Sequence, residues 1–243
     1  FDLYCTTGPP DTRGFAQLAA KLGHFSVRET GWPKLDPLLK AIGSGEPSSI
    51  HTPPVVLYCS TFSPSWSAAE ILFDTVHRLS RTGRWRWLVH LHPKSSAGTV
   101  AKYRRLQNAY LQYSDADNIL DLFPQADVMA SDTSSAVSEF LLTYKPVVTF
   151  KNRRPGPQLS DIDDPVGFEP ALERALTRPP ELMSAIRAYA DGLHPYRDGR
   201  SSERVLAAVD EFIARDWAKL PPKPRNFWRR LKMRRRFGYW RFD

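Results

Sequence analysis

The chain predicts an α/β fold: a largely parallel sheet with helices on both faces. Three observations carry that prediction. Short apolar runs at 55–59, 85–91, 127–130 and 147–150 alternate with helical spacings at 68–79, 98–111 and 136–144, the rhythm of a parallel sheet. The runs at 55–59 and 147–150 are apolar without alternation, as strands covered on both faces are. A hydrophobic content of 42% over 243 residues fills a sizeable core, and no stretch is apolar enough to span a bilayer. Right-handed crossovers gather the strand-end loops of such a sheet on one edge, where open α/β sheets bind ligands.

Taken in order, residues 1–8 read as a strand already under way, which is expected of a fragment or a trimmed chain. Residues 11–22 carry helical spacing in Phe15, Leu18, Ala19 and Leu22, and Gly23 closes that helix. A second short strand is expected at 25–29, and Gly31-Trp32-Pro33 turns into a short helix. The Gly/Ser/Pro-rich stretch that follows reads as a linker. The expected division is therefore the end of a first α/β domain at 1–43, a linker at 44–54, a Rossmann-like domain at 55–218 and a basic tail at 219–243.

Within the larger unit, residues 60–65 form a polar turn. The helix 68–79 has Ser67 as a possible N-cap, and 85–91 is a strand. The helix 98–111 turns Val100, Tyr103, Leu106 and Tyr110 inward, and 119–122 is a short strand. The segment 126–150 then reads strand, turn, helix, strand. Ser131-Asp132-Thr133-Ser134 is dense in N-cap residues, Lys145-Pro146 stops the helix, and the β-branched run 147–150 is a buried strand. A basic loop at 151–157, helices at 168–176 and 180–190, a loop at 194–200 and a helix from Ser201 or Ser202 to about residue 214 complete the unit.

The charge is uneven. Residues 219–243 hold ten Lys/Arg and one Asp, a charge of +9 in a chain of +8, so the first 218 residues sum to −1. A near-neutral globular part speaks against a nucleic-acid-binding domain. The tail interleaves Phe227, Trp228, Leu231, Phe237, Tyr239, Trp240 and Phe242 with its cations. That mixture suits an anionic membrane surface, reached through residues 221–243. RNA binding and simple disorder are the alternatives. Cys5 and Cys59 sit in apolar runs and read as reduced, buried thiols of a cytosolic protein. They give no metal motif, and no cofactor is expected.

The turn at 131–135 is the strongest chemical signal. A helix that begins at a strand's carboxyl end aims unpaired N–H groups into the crevice above the sheet, and Thr133, Ser134 and Ser135 add hydroxyl donors, so a phosphate is the expected occupant. His92 ends a strand and precedes Pro93, which holds the imidazole at the strand tip. It is either a general acid, base or phosphate partner, or a structural residue. His90 reads as structural, and His51 and His77 as linker and surface residues. Thr61, with Ser60, Ser63 and Ser65, is turn chemistry on its face. Glu139 either binds ribose hydroxyls or faces solvent. Asp161, Asp163 and Asp164 lack the spacing of a calcium loop.

Several blocks together resemble the CDP-glycerol glycerophosphotransferases of teichoic-acid and capsule polymer synthesis. They are G-W-P-K-L-D at 31–36, V-L-Y-C-S-T-F at 56–62, L-H-P-K at 91–94, A-D-V-M-A-S-D-T-S-S-A-V-S-E-F at 126–140 and Y-R-D-G-R-S-S-E-R-V at 196–205. The resemblance implies a two-domain GT-B-like fold whose second domain holds the nucleotide. It also implies an enzyme that moves glycerol-phosphate, or a similar polyol-phosphate, from a CDP-activated donor to a membrane-linked acceptor on the inner face of a bacterial plasma membrane. His92 matches a histidine of donor chemistry. Ser134 and Ser135 match phosphate-binding serines, Thr61 the threonine after the domain's first strand, and Asp198, Gly199, Ser202 and Arg204 the closing block. Glu139 stands where an Asp is common, Thr133 where a Tyr is usual, and Ser63 where an Arg is common. The family's Gly/His segment with the catalytic base does not occur in these residues. A GT-B sugar transferase and a non-catalytic membrane-docking relic of the fold are the alternative readings.

Overall fold

The computed structural model describes residues 1–43 and 49–240. In chain order its first elements are β1 (Leu3–Thr6), α1 (Pro9–Leu22), β2 (Ser26–Glu29) and α2 (Asp36–Ile42). Then come β3 (Val55–Ser60), α3 (Phe73–Leu79), β4 (Arg86–Leu91), α4 (Ala97–Arg104) and β5 (Leu111–Tyr113). They are followed by β6 (Val128–Ser131), α5 (Ser135–Leu141), β7 (Val147–Phe150), β8 (Ser160–Ile162), α6 (Phe168–Leu176), α7 (Pro180–Leu193), α8 (Ser201–Arg215) and α9 (Phe227–Phe237).

Six strands form one parallel sheet in the order β5-β4-β3-β6-β7-β8. β3, β6 and β7 are buried at every residue, which is why their sequences run apolar without alternation. Alternate side chains still go to opposite faces. Val56, Tyr58, Trp87, Val89 and Val128 pack with Val76, Tyr103, Phe168 and Leu172, so α3, α4 and α6 cover one face. Leu57, Cys59, Met129 and Val147 pack with Leu38, Leu39, Phe140 and Ile186, so α2, α5 and α7 cover the other.

β1 and β2 form a separate two-stranded parallel sheet. The short turn before α2 carries the Gly31–Asp36 segment between the two sheets. Leu35, Leu38 and Leu39 from that region are buried in the core of the larger sheet, while α8 packs back against β1. Gly31 has φ +89°, and a Cβ there would lie 2.4 Å from Ser201 Oγ, so glycine is needed for this close approach.

Several elements differ from the sequence expectation. The helix expected at 68–79 begins only at Phe73. The Ala68 amide is taken by Asp132, and Ser67 Oγ bonds Ser60 Oγ at 2.8 Å, so this stretch is drawn to the strand ends instead. The helix expected at 98–111 stops at Arg104, because the Asn108 side-chain Oδ1 accepts the Tyr110 amide at 2.7 Å and turns the chain into β5. Tyr110 is therefore exposed rather than inward. The strand expected at 119–122 is a 3-10 turn, capped by Asn118, whose side chain accepts the Leu120 amide at 3.1 Å. Neither Ser201 nor Ser202 caps α8; the carboxylate of Asp36, far upstream, does so. Cys59 is buried as expected, but Cys5 is exposed. The expected linker lies partly outside the described residues, at 44–48. His51, beyond them, places its Nδ1 3.0 Å from the buried Asp127 carboxylate, which also accepts the Val55 amide at 2.8 Å and so fixes the entry to β3.

Lys145 explains how the chain stops α5 and enters β7. Its buried ammonium donates to the carbonyls of Phe123, Pro124 and Ala126 at 3.1, 3.0 and 2.6 Å. Burial pushes its pKa down to about 8, against the pull of Asp127. After α8 the chain runs to α9, whose Phe227, Trp228 and Phe237 are exposed. Among the described residues no helix is long and apolar enough to cross a membrane.

Candidate functional site

Because every strand of the larger sheet is parallel, the loops after β3, β4, β6 and β7 emerge on one edge. The chain proceeds outward from β3 to β4 and β5, then returns to the other side of β3 with β6. The β3/β6 boundary is thus the topological switch point, where the divergence of the two loops opens a crevice. The sequence places Thr61 after β3, His92 after β4 and Thr133–Ser135 after β6. The structure brings all of them to this edge, with His92 two strand spacings, roughly 10 Å, from the β6 tip.

Asp132 builds the floor of the crevice. It is fully buried, and its carboxylate accepts hydrogen bonds from Ser60 Oγ, from the Thr61 amide at 2.9 Å and from the Ala68 amide at 2.9 Å. Burial holds its carboxyl above the usual aspartate range, although the Ser60, Ala68 and Thr61 donors pull it back. Asp132 staples the 60–68 loop onto β6, so its work is to shape the site. The Thr61 amide is engaged by that staple.

At the β6–α5 turn, Ser134 is the N-cap of α5, and its Oγ accepts the Ala136 amide at 3.3 Å. Thr133 Oγ1 accepts the Arg153 amide at 3.1 Å. Ser135 is exposed at the first turn of a seven-residue helix.

His92 lies outside the β4 tip with its ring against Phe62, centroids 4.5 Å apart. Its Nδ1 accepts the Lys94 amide at 3.0 Å, which places the proton of the neutral ring on Nε2. Partial burial, and then the Lys94 charge, lower its pKa from 6.5. The ring is therefore neutral at pH 7, with Nε2 the atom left to meet a ligand. His90, as expected, is structural: it is buried, with Nδ1 3.3 Å from the Ser114 carbonyl.

Glu139 neither faces solvent nor presents a free carboxylate. It is buried and paired with Lys34 Nζ at 2.6 Å. The closing block is engaged with the same upstream segment. The Asp36 carboxylate accepts the Ser201 amide at 2.9 Å, and the Ser202 amide and Oγ at 2.7 Å each. Burial pushes the Asp36 carboxyl up, but the Ser202 and Ser201 donors together outweigh it and hold the pKa below 3.8. Gly199 has φ +65°, with an added Cβ only 2.8 Å from the Asp36 carbonyl oxygen. Asp198 pairs with Arg204, whose guanidinium lies 4.1 Å over the Tyr196 ring. Among the described residues no hydrogen bond or ion pair joins Asp198, Ser202 or Arg204 to Thr61, His92 or Thr133–Ser135. The structure thus gathers the expected site residues into two groups, one on the strand-end edge and one on the Gly31–Asp36 segment.

Sequence reasoning missed Trp66, Arg153 and Arg154, which meet beside the β6–α5 turn, and Lys34, which meets Glu139. A signal existed for the arginines: Lys151, Arg153 and Arg154 fall in four residues directly after a strand on the ligand edge.

Comparison with known proteins agrees with this architecture. The family model described as CDP-Glycerol:Poly(glycerophosphate) glycerophosphotransferase matches residues 11–155, more than half of the chain. No curated protein matches. Among solved structures, the wall teichoic acid polymerase TagF superposes with a TM-score of 0.59 at 15% identity, over 88% of this chain and 59% of that one. A TagF variant soaked with CDPG gives 0.56 at 16% identity, over 88% and 57%. The UDP-GlcNAc 2-epimerase of Neisseria meningitidis bound to UDP-GlcNAc gives 0.52 at 12%, over 86% and 61%. The calicheamicin glycosyltransferase CalG4 gives 0.52 at 15%, over 78% and 48%. The chain spans about three fifths of the length of TagF. These likenesses establish the GT-B-like α/β fold.

Proposed function

Since the chain belongs to the CDP-glycerol:poly(glycerophosphate) glycerophosphotransferase family, we propose that it forms the donor-binding part of an enzyme that transfers glycerol-phosphate, or a similar polyol-phosphate, from a CDP-activated donor. The acceptor is a membrane-linked polymer of the teichoic-acid kind. The observation that carries this reading is the convergence of Thr61, His92 and Thr133–Ser135 on the carboxyl edge at the switch point.

In the reaction, an acceptor hydroxyl oxygen attacks the β-phosphorus of the donor. The bond from that phosphorus to the bridging oxygen breaks, CMP departs with the electron pair, and the hydroxyl proton passes to a base. Little covalent chemistry is asked of the protein, so positioning and charge stabilisation dominate. Ser135, exposed beside the crevice, donates to a phosphoryl oxygen. His92 presents Nε2 to the developing charge, either as a neutral donor or, when protonated, as a cation. Asp132 keeps the β3 and β6 loops in register for both.

The exposed aromatics and cations of α9 support docking to an anionic membrane surface. That contact would hold the donor site at the inner leaflet, near a lipid-linked acceptor.

Donor screening tests the reading. Saturable binding of CDP-glycerol that weakens in Ser135→Ala and His92→Ala is expected. Binding of UDP-sugars with none of CDP-glycerol would replace it with a nucleotide-sugar transferase. Unchanged nucleotide binding in both variants would favour a non-catalytic docking domain.

A further inference from the structure

A cavity of about 530 Å3 lies beside the crevice, between α5, the loop after β7 and Tyr189 of α7. Hydroxyls of Thr133, Ser134, Ser138 and Tyr189 line it together with Arg153 and Arg154. None of its lining residues carries a carboxylate. Arg153 and Arg154 are consecutive in the chain, and neither has an acidic partner among the described residues. Some surface arginines do find carboxylates: Arg84 pairs with Glu169, Arg104 with Asp115 and Arg200 with Glu203.

The loop that carries them is held in place. Asn152 Nδ2 donates to the Asp132 carbonyl at 3.0 Å, the Arg153 amide to Thr133 Oγ1 at 3.1 Å, and the Arg154 amide to Asn152 Oδ1 at 2.9 Å. The Arg153 guanidinium lies over the Trp66 ring, 4.8 Å from its centroid. Stacking uses the face of a guanidinium and leaves its in-plane N–H fork available for a phosphate. A cavity lined by two cations without acidic partners and by several hydroxyls favours an anionic occupant.

We propose that this cavity is a phosphate subsite, in which Arg153 and Arg154 grip the phosphoryl oxygens of a polyol-phosphate ligand. Two sources share that chemistry: the diphosphate of an activated donor and the phosphodiester of a growing polymer. The choice of these ligands rests on the family reading above; the subsite itself rests on the cavity.

The test is equilibrium titration of the full chain with CDP-glycerol and, separately, with a glycerol-phosphate oligomer. Wild type is compared with Arg153→Ala/Arg154→Ala and with Arg229→Ala/Arg230→Ala, which removes the same charge from the tail. Thermal unfolding confirms that each variant is folded. The loop variant is expected to weaken at least one ligand roughly ten- to a hundredfold, as the loss of charge-assisted hydrogen bonds does, while the tail variant does not. A loss confined to CDP-glycerol assigns the donor, and a loss confined to the oligomer assigns the polymer. Oligomer binding through the two arginines with no CDP-glycerol binding by wild type would sink the donor reading and leave the subsite standing. Unchanged affinity for both ligands overturns the proposal, as does an equal loss in the tail variant or a wild type that binds neither.

Discussion

Lys34 and Glu139 are joined across the molecule, Nζ to Oε1 at 2.6 Å, with the Glu139 side chain only 5% exposed and the Lys34 side chain 49%. The pair ties the Gly31–Asp36 segment to α5. A buried carboxylate that loses its partner is costly, but solvent beside Lys34 softens the loss. Lys34→Ala is expected to lower stability by about 1–2 kcal/mol, and Glu139→Leu in the same background to recover part of it. A double-mutant cycle by urea denaturation checks this; additive effects would mean that the pair is not coupled.

Asp36 makes stability depend on acid. Its folded-state pKa is below 3.8, so its contribution is fully present above the unfolded value and is lost as pH falls through the folded one. Asp36→Asn should flatten the stability profile below about pH 4 while leaving the neutral arm of the curve in shape. At neutral pH, Asp36→Ala should cost about 1–2 kcal/mol, the usual effect of losing a cap.

Asp132→Ala leaves the Thr61 and Ala68 amides and the Ser60 hydroxyl without their acceptor in a buried site. A loss of about 2–4 kcal/mol is expected. Faster amide hydrogen exchange should be concentrated in the 60–68 loop. Exchange that rises uniformly over the chain would instead point to a general loosening.

His92 gives a pH signature. Its lowered pKa keeps the ring neutral to below pH 6.5. If donor binding needs the neutral form, affinity falls on an acidic limb below that value. Lys94→Ala removes one cause of the lowering, so the pKa rises and the limb must move to higher pH. A limb that does not move, measured by CDP-glycerol titration between pH 5 and 8, would separate it from His92.

Removal of residues 221–243 should abolish binding to anionic vesicles in low salt, read by co-sedimentation. Vesicles of neutral lipid supply the baseline. Retained binding to anionic lipid would exclude the tail as the anchor.

The strands that form the centre of the sheet were legible because full burial demands continuous apolar sequence, as in Val55–Ser60 and Val147–Phe150. β5 and β8 are three residues each and carry too little pattern to separate from their surroundings. The same limit turned Ile119–Leu122, an apolar 3-10 turn, into an expected strand. The strand-end position of His92 and the turn at Thr133–Ser135 were visible because Pro93 and the N-cap residues are local signals. The partners of Glu139 and Ser202 were not, since Lys34 and Asp36 reach them from 105 and 166 residues away. No periodicity encodes such a meeting.

The Asp36 cap has a consequence for the order in which the chain can be finished. The receptor carboxylate is made early, yet the amides it accepts belong to Ser201 and Ser202, 165 and 166 residues later. Closing so long a loop is slow compared with forming a turn, so α8 is expected to lock only after residues 201 and 202 have been made and returned to Asp36. A nascent product cut short before residue 201 would leave β1 and the Gly31–Asp36 segment without that lid, visibly incomplete to a protease. The contact thus works as a checkpoint, recording that two segments made far apart in time have both been delivered.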